Sequence, residues 1–188
     1  MPHGWTKDYN HAERLLWQNT DQILSDIGLK PGDTMVDIGC GDGFFSLPAA
    51  KLVGRDGLIY AIDASDEAIA QLKTKASGLD LANIRAVVAD AEKFTACRHC
   101  ADIILMANVL HDFENPLKVL ANARELLKPE GTVVDLDWKK EPRQQHGPPL
   151  EKRLSQDEAS AILNQAEFKV TNNILSGPFH YLLLARPA

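Results

Sequence analysis

The chain has no apolar run long enough to cross a bilayer. Its longest, Ala101 to Leu110, is interrupted by Asp102 and Asn108 and falls well short of the roughly 20 residues that a spanning helix needs, so no membrane partner is expected. Also missing is a positively charged start followed by an apolar stretch and a small-residue cleavage site. The chain opens Met-Pro-His-Gly-Trp and soon turns charged, and it reads as cytoplasmic. Positive charge is in deficit, with 20 Lys and Arg against 26 Asp and Glu for a formal net charge of -6. Phosphate contacts need clustered basic residues, so nucleic acid is not expected as a partner. The best basic spot, Lys139 and Lys140 with Arg143, reads as a solvated loop.

Cysteine is scarce. Cys40, Cys97 and Cys100 form an odd set without the spacing of a secreted disulfide framework, and they read as reduced thiols. Cys97, His99 and Cys100 lack a second ligand pair at zinc-site spacing and read as a plain loop, so no metal is expected. Aromatics are few at 6%, beside 45% hydrophobic and 24% charged residues, an ordinary globular balance. At 188 residues the length suits one α/β domain, residues 1–188, and is too short for two.

What is present is an alternation of short β-rich runs with amphipathic helical stretches, the pattern of a parallel sheet. His11 to Ile27 predicts one N-terminal helix with Ala12, Leu15, Leu16, Ile23, Leu24 and Ile27 inward, stopped by Gly28. Residues 1–28 form an N-terminal segment in which Trp5 or Tyr9 is a candidate cover, and 29–188 form the core. Strands are expected at Thr34–Ile38, Leu58–Ile62, Asn83–Ala89, Ala101–Ala107 and Thr132–Leu136. The intervening helices include Phe44–Leu52, one capped by Ser65, and one begun by Asn115-Pro116 and ended by Pro129-Glu130-Gly131. The proline-rich stretch Glu141 to Leu150 reads equally as a lid and as a linker. Ser155 and Glu158 form a capping box for a helix over Gln156–Ala166. Phe168–Leu175 and Phe179–Ala185, joined by Ser176-Gly177-Pro178, make a connection short enough only for an antiparallel hairpin.

The chemistry gathers at strand ends. Val36-Asp37-Ile38-Gly39-Cys40-Gly41-Asp42-Gly43 is a glycine-rich turn between strand and helix, where the backbone turns tightly and a ligand can approach. A dinucleotide fingerprint needs a third glycine three places after the second, and that place is Phe44. The acids Asp37 and Asp42 disfavour a pyrophosphate and suit a cationic group. Asp37 reads equally as a carboxylate capping the loop's own amides. Asp63, followed by Ala64 at the end of the second strand, can accept ribose hydrogen bonds worth about 1.5–3 kcal/mol each, with a turn cap as the alternative. Asp90, before Ala91, suits an adenine amino group or a surface turn.

These stretches, with Tyr60-Ala61-Ile62-Asp63, Val88-Ala89-Asp90-Ala91 and Leu126-Leu127-Lys128-Pro129-Glu130-Gly131, resemble the class I S-adenosylmethionine-dependent methyltransferases, and most nearly their small-molecule, quinone-biosynthesis-like branch. The resemblance runs from Asp33 to Arg186. It implies a Rossmann-like, doubly wound, mostly parallel seven-stranded α/β sheet with a C-terminal antiparallel hairpin. It implies S-adenosylmethionine as cofactor and S-adenosylhomocysteine as product. The loop around Asp37, Gly39, Cys40, Gly41 and Gly43 would hold the methionine part, Asp63 with Ala64 the ribose, Asp90 with Ala91 the adenine, and Asn108 would lie near the cofactor. Ala107-Asn108-Val109-Leu110 stands where methylases of amide or nucleobase amino groups carry Asn-Pro-Pro-aromatic, which argues against that substrate class. The cysteines do not match the set of arsenite methyltransferases.

The expected partner is a small-molecule methyl acceptor, and the oligomeric state is left open. Holding acceptor and methyl in line is the main task, since positioning alone can supply about 7–11 kcal/mol. Where the acceptor carries a proton, His111 is the first candidate base, with Asp112 and Asp137 behind it. Two other readings stand beside this one: a nicotinamide-dependent oxidoreductase, and a non-catalytic module that binds S-adenosylmethionine.

Overall fold

A computed structural model describes residues 11–94, 97–142 and 146–188, the side chain of Leu175 excepted. Trp5, Tyr9 and Arg143 lie outside the described residues. In chain order the elements are α1 His11–Trp17, α2 Thr20–Asp26, β1 Thr34–Ile38, α3 Ser46–Val53, β2 Leu58–Asp63, α4 Asp66–Gly78, β3 Ile84–Val88, β4 Ala101–Ala107, α5 Pro116–Leu126, β5 Leu127–Trp138, α6 Gln156–Gln165, β6 Phe168–Ser176 and β7 His180–Pro187. The seven strands form one sheet in the order β3-β2-β1-β4-β5-β7-β6. Strands β1 to β5 pair in parallel. β7 enters antiparallel between β5 and β6; the short turn after β6 predicts the antiparallel pairing of β6 with β7, and the family resemblance implies the insertion.

Helices cover both faces. Val119, Leu120, Ala123 and Leu126 of α5 and Ala159 and Leu163 of α6 pack on Val36, Ile104, Met106, Tyr181 and Leu183. On the other side Ile23, Leu24 and Ile27 join Ala49, Ala50 and Val53 of α3 against Met35, Leu105, Val134 and Leu136. Ile69, Leu72 and Ala76 of α4 pack with Ala61. Alternate strand residues therefore serve opposite cores, as the period of two requires. No described helix is long and apolar enough to cross a membrane. The described residues hold no group of three or more His, Cys, Asp or Glu able to bind a metal.

Three local expectations are corrected. The single N-terminal helix is two, because the Asn19 side chain accepts the Gln22 amide and caps α2, a role asparagine performs well. The break rotates α1, so none of its residues is buried and Leu16 is 87% exposed. β5 begins at Leu127, with a register shift between Ala101 and Ile103, and Pro129 is absorbed at that irregularity, where a missing donor costs little. Cys97 and Cys100 are not separate thiols but are joined in a disulfide, with Cα atoms 6.0 Å apart. The left-handed backbone of His99, at φ 49°, reverses the chain between them. Cys40 is free and buried.

The proline-rich loop is strapped down where it is described. Arg153, 5% exposed, donates to the carbonyls of Pro148 and His146, each at 2.7 Å, and of Lys139 at 3.2 Å. Gly147 lies so close to the Trp138 ring that a Cβ would come within 2.6 Å of Cδ2. Replacing Arg153 with Met leaves three carbonyls without a charged donor and is expected to cost about 2–4 kcal/mol of stability. Urea unfolding should show this as a lower midpoint with an unchanged slope.

Candidate functional site

The chain leaves β1 for α3 on one face of the sheet and β4 for α5 on the other. Between the carboxyl ends of two such neighbouring strands, an α/β sheet opens a crevice. The glycine loop lies at its floor. The amides of Gly39 and Cys40 donate to the Ile62 carbonyl at 2.8 and 3.0 Å. Gly39 has φ 71° and sits against Val109, whose Cγ1 would be 2.5 Å from an added Cβ, whereas the space around Gly41 is open to 4 Å. Asp63 at the end of β2 organises this loop: one carboxylate oxygen accepts the Gly41 amide at 2.8 Å and the other the Ser65 amide at 2.9 Å. The amide-capping role considered for Asp37 thus belongs to Asp63. Asp37 instead accepts the Ser46 hydroxyl at 2.5 Å and is buried.

A cavity of about 330 Å³ opens beside the loop, lined by His11, Arg14, Asp37, Gly39, Cys40, Gly41, Asp42, Phe44, Phe45 and Ala107. Arg14 stacks its guanidinium 3.8 Å from the Phe44 ring centre, and its Nε donates to Gln18 Oε1 at 2.7 Å. Asn108 Nδ2 donates to that same oxygen at 3.4 Å. Because Arg14 has only donors, it fixes which end of the Gln18 amide is oxygen, and Gln18 in turn fixes Asn108. The relay leaves two buried atoms without a partner among the described residues, the donor Gln18 Nε2 and the acceptor Asn108 Oδ1. Asn108 holds φ 60°, a left-handed conformation that asparagine tolerates better than most residues, while its amide donates to the Leu136 carbonyl at 2.7 Å. Asp42 is balanced by Lys75 at 2.5 Å. A guanidinium and a buried carboxylate line the cavity, and the unmatched donor and acceptor lie next to Arg14 through Gln18; together they suit a zwitterion, carrying both an ammonium and a carboxylate, better than a simple cation.

His111 lies in a 3₁₀ turn, Leu110–Asp112, after β4. Its Nδ1 is 2.8 and 2.9 Å from the two oxygens of Asp137, and Asp137 also accepts the Trp138 amide at 2.7 Å. Nε2 faces Asp112 at 3.6 Å, and the His111 side chain is 3% exposed. Burial pushes the imidazole pKa down, but the Asp137 hydrogen bond and charge, helped by Asp112, outweigh it and hold it above the ordinary 6.5. Asp135, on the same face of β5, is pushed well up by burial and then by the Asp137 charge.

The cavity gathers Asp37, Gly39, Cys40 and Gly41 of the expected cofactor residues. Gly43 ends the loop against Leu72 and Leu47, Asp63 holds it through the Gly41 amide, and Asn108 adjoins through Gln18. Asp90 is half-exposed and engaged in a turn, with one oxygen on the Glu92 amide at 2.9 Å and the other on Lys93 at 3.0 Å. Ala91 is fastened through its carbonyl to Asn122 at 3.0 Å. His111 and Asp112 stand outside the cavity lining. Arg14 and Gln18 were missed from the sequence. The asparagine cap at Asn19 was the available signal, since it ends α1 where Arg14 and Gln18 can reach the crevice.

A family profile described as a methyltransferase domain matches residues 29–175. A crystal structure of a SAM-dependent methyltransferase from Aquifex aeolicus is similar at a TM-score of 0.87 and 30% identity, covering 95% of this chain and 98% of that one. A putative type 11 methyltransferase from Sulfolobus solfataricus has a TM-score of 0.73 at 25% identity, covering 92% and 93%. A demethylmenaquinone methyltransferase of Bacillus mycoides is 26% identical over 121 residues, 64% of this chain and 50% of the relative. The chain spans about half the length of the curated relatives it matches.

Asp37 offers a test of the site's electrostatics. Burial lifts its pKa from 3.8 to about 6, with the Ser46 hydroxyl opposing, the Asp63 charge adding and Arg14 opposing. A raised folded-state pKa contributes stability that is complete below 3.8 and is lost as pH rises through about 6. Asp37→Asn lacks that loss and keeps an acceptor for Ser46. Melting curves without ligand should nearly coincide with the parent at pH 4, and the variant should be the more stable at pH 8, by at most roughly 3 kcal/mol. Equal offsets at both pH values would mean that no buried charge forms there.

Proposed function

Since the chain belongs to the class I S-adenosylmethionine-dependent methyltransferases, we propose that it transfers a methyl group to a small-molecule acceptor at the crevice between β1 and β4. The observation that carries this reading is the relay from Arg14 through Gln18 to Asn108, which leaves one buried donor and one buried acceptor beside the glycine loop. Buried polar atoms are rarely left unmatched, and an amino-acid end would match both. S-adenosylmethionine, when bound, supplies an electrophilic methyl group on a sulfonium.

Arg14 would hold the carboxylate of the donor's amino-acid end, with Gln18 Nε2 beside it, while Asn108 Oδ1 would accept from the ammonium. The open space at Gly41 admits the chain that follows. Each Asp63 oxygen already holds one amide and can accept a second donor, so the ribose hydroxyls are read by the group that shapes the loop. Asp90 and Ala91, which follow β3, would border the adenine. Phe44 and Phe45 line the cavity and exclude water from its wall. His111 is the general base for an acceptor that carries a proton. Its Nδ1 proton is held by Asp137, which turns the lone pair of the neutral ring onto Nε2. The net charge of -6 and the relatives' names favour a small acceptor over a nucleic acid.

Titration calorimetry should show binding of S-adenosylhomocysteine and none of NADH; the reverse would overturn the methyltransferase reading in favour of an oxidoreductase. Within the same experiment, Arg14→Met should weaken S-adenosylhomocysteine by about tenfold or more and spare methylthioadenosine, which has the nucleoside without the amino-acid end. Asp63→Ala should weaken both. For the base, NMR titration of the His111 ring should place its pKa above 6.5, and Asp137→Asn should lower it. A His111 titration unmoved by that substitution would remove Asp137 as its orienting partner.

A further inference from the structure

We propose that Cys97 and Cys100 form a thiol–disulfide exchange site that accepts electrons from an external dithiol, independently of the methyl-transfer reading. The segment Cys97-Arg98-His99-Cys100 precedes β4 and therefore lies at the amino edge of the sheet, the edge opposite the cavity that Ala107 lines. Both cysteines are only partly buried, and Arg98 and His99 between them are exposed. An attacking thiolate can reach such a bond.

The loop's shape does not depend on the sulfur–sulfur bond. The amides of His99 and Cys100 donate to the carbonyls of Glu125 and Leu126 at 3.0 and 2.9 Å. His99 Nδ1 lies 2.9 Å from the Leu127 carbonyl. Arg98 pairs with Glu125 at 2.8 Å. These contacts anchor the turn to the end of α5 and the start of β5. After reduction the two thiols remain neighbours, so re-oxidation is an intramolecular step at high effective concentration. A ring closed over so few residues also removes little chain entropy from the unfolded state. As a staple the bond contributes little; as a reversible couple it is well prepared.

The exchange balances without any further reactant. One thiolate of the dithiol attacks a protein sulfur, the disulfide breaks, and the departing cysteine takes a proton. The second thiol of the reductant then attacks the mixed disulfide and leaves as a cyclic disulfide, and the other cysteine is protonated. Two electrons and two protons pass to the protein. Cys40 does not take part: it is buried and its thiol sits 3.5 Å from the Gly41 carbonyl. Burial, then the charge of Asp37, holds its pKa far up.

The folded protein would be equilibrated with mixtures of reduced and oxidised dithiothreitol, quenched with an alkylating agent and weighed intact. Cys97 and Cys100 should take label together in reducing mixtures, take none in samples re-oxidised before the quench, and leave the circular dichroism unchanged, while Cys40 is labelled only after denaturation. Cys97→Ser and Cys100→Ser should each accept one glutathione from its disulfide, and the double variant none. A bond that resists the reductant until the protein unfolds would overturn the proposal, as would two thiols that stay free in the fully oxidised couple. Neither result would bear on S-adenosylhomocysteine binding at the opposite edge.

Discussion

The carboxylate of Asp63 is the point on which the crevice depends. It ends one strand, yet its two oxygens hold the amides of Gly41 and Ser65, so it sets the path of the glycine loop after β1 and the entry into α4 at once. A charged acceptor is needed because loop amides that face a ligand cannot be satisfied by secondary structure. With that bracket in place, Gly39 can press against Val109, and Asp37 can sit beneath the loop with the Ser46 hydroxyl as its partner. Loop, strand exit and first helical turn are therefore one unit.

Charge is arranged by depth. Asp135, Asp137 and His111 occupy the α5 side of the sheet, where burial and then the Asp137 charge push the Asp135 pKa up and Asp137 meets the imidazole and a backbone amide. Asp37, Asp42 and Arg14 occupy the cavity, where Lys75 answers Asp42. Each carboxylate kept in its charged form has a specific partner, as burial demands. Gln18 and Asn108, with Asp135, His180 and Tyr181, keep buried polar atoms without a hydrogen-bond partner among the described residues, and the neutral amide atoms do so at lower cost than a bare charge.

Much of this was legible in the sequence because it is local. Strand β4, the Ser155 capping box, the Asn115-Pro116 helix start and the turn after β6 each depend on neighbouring residues; a parallel sheet with a closing hairpin followed from their alternation, while the insertion of the last strand came from the family resemblance. Asp37, Asp63 and Asn108 could be picked out because they end strands. What escaped reading depends on distance. Leu15 and Leu16 matched a helical stripe, but the cap at Asn19 turned α1 so that Arg14, Trp17 and Gln18 face the protein. Arg153 looked like an ordinary surface residue, and only its reach to three carbonyls of a preceding loop reveals it as a strap. The pairing of Cys97 with Cys100 rests on a left-handed backbone at His99, which residue type alone does not announce.

The orientation of α1 has a wider consequence. A helix with no buried residue of its own is seated by a few side chains, Trp17 among the rings of Trp138, His146, Phe179 and His180 and Arg14 against Phe44 and Gln18 beside the crevice. Selecting a ligand and seating the amino-terminal helix then both draw on Arg14. Evolution toward a greasier, firmer α1 would harden the protein while blunting its choice of what it holds, which gives a physical reason for leucines to remain in water here.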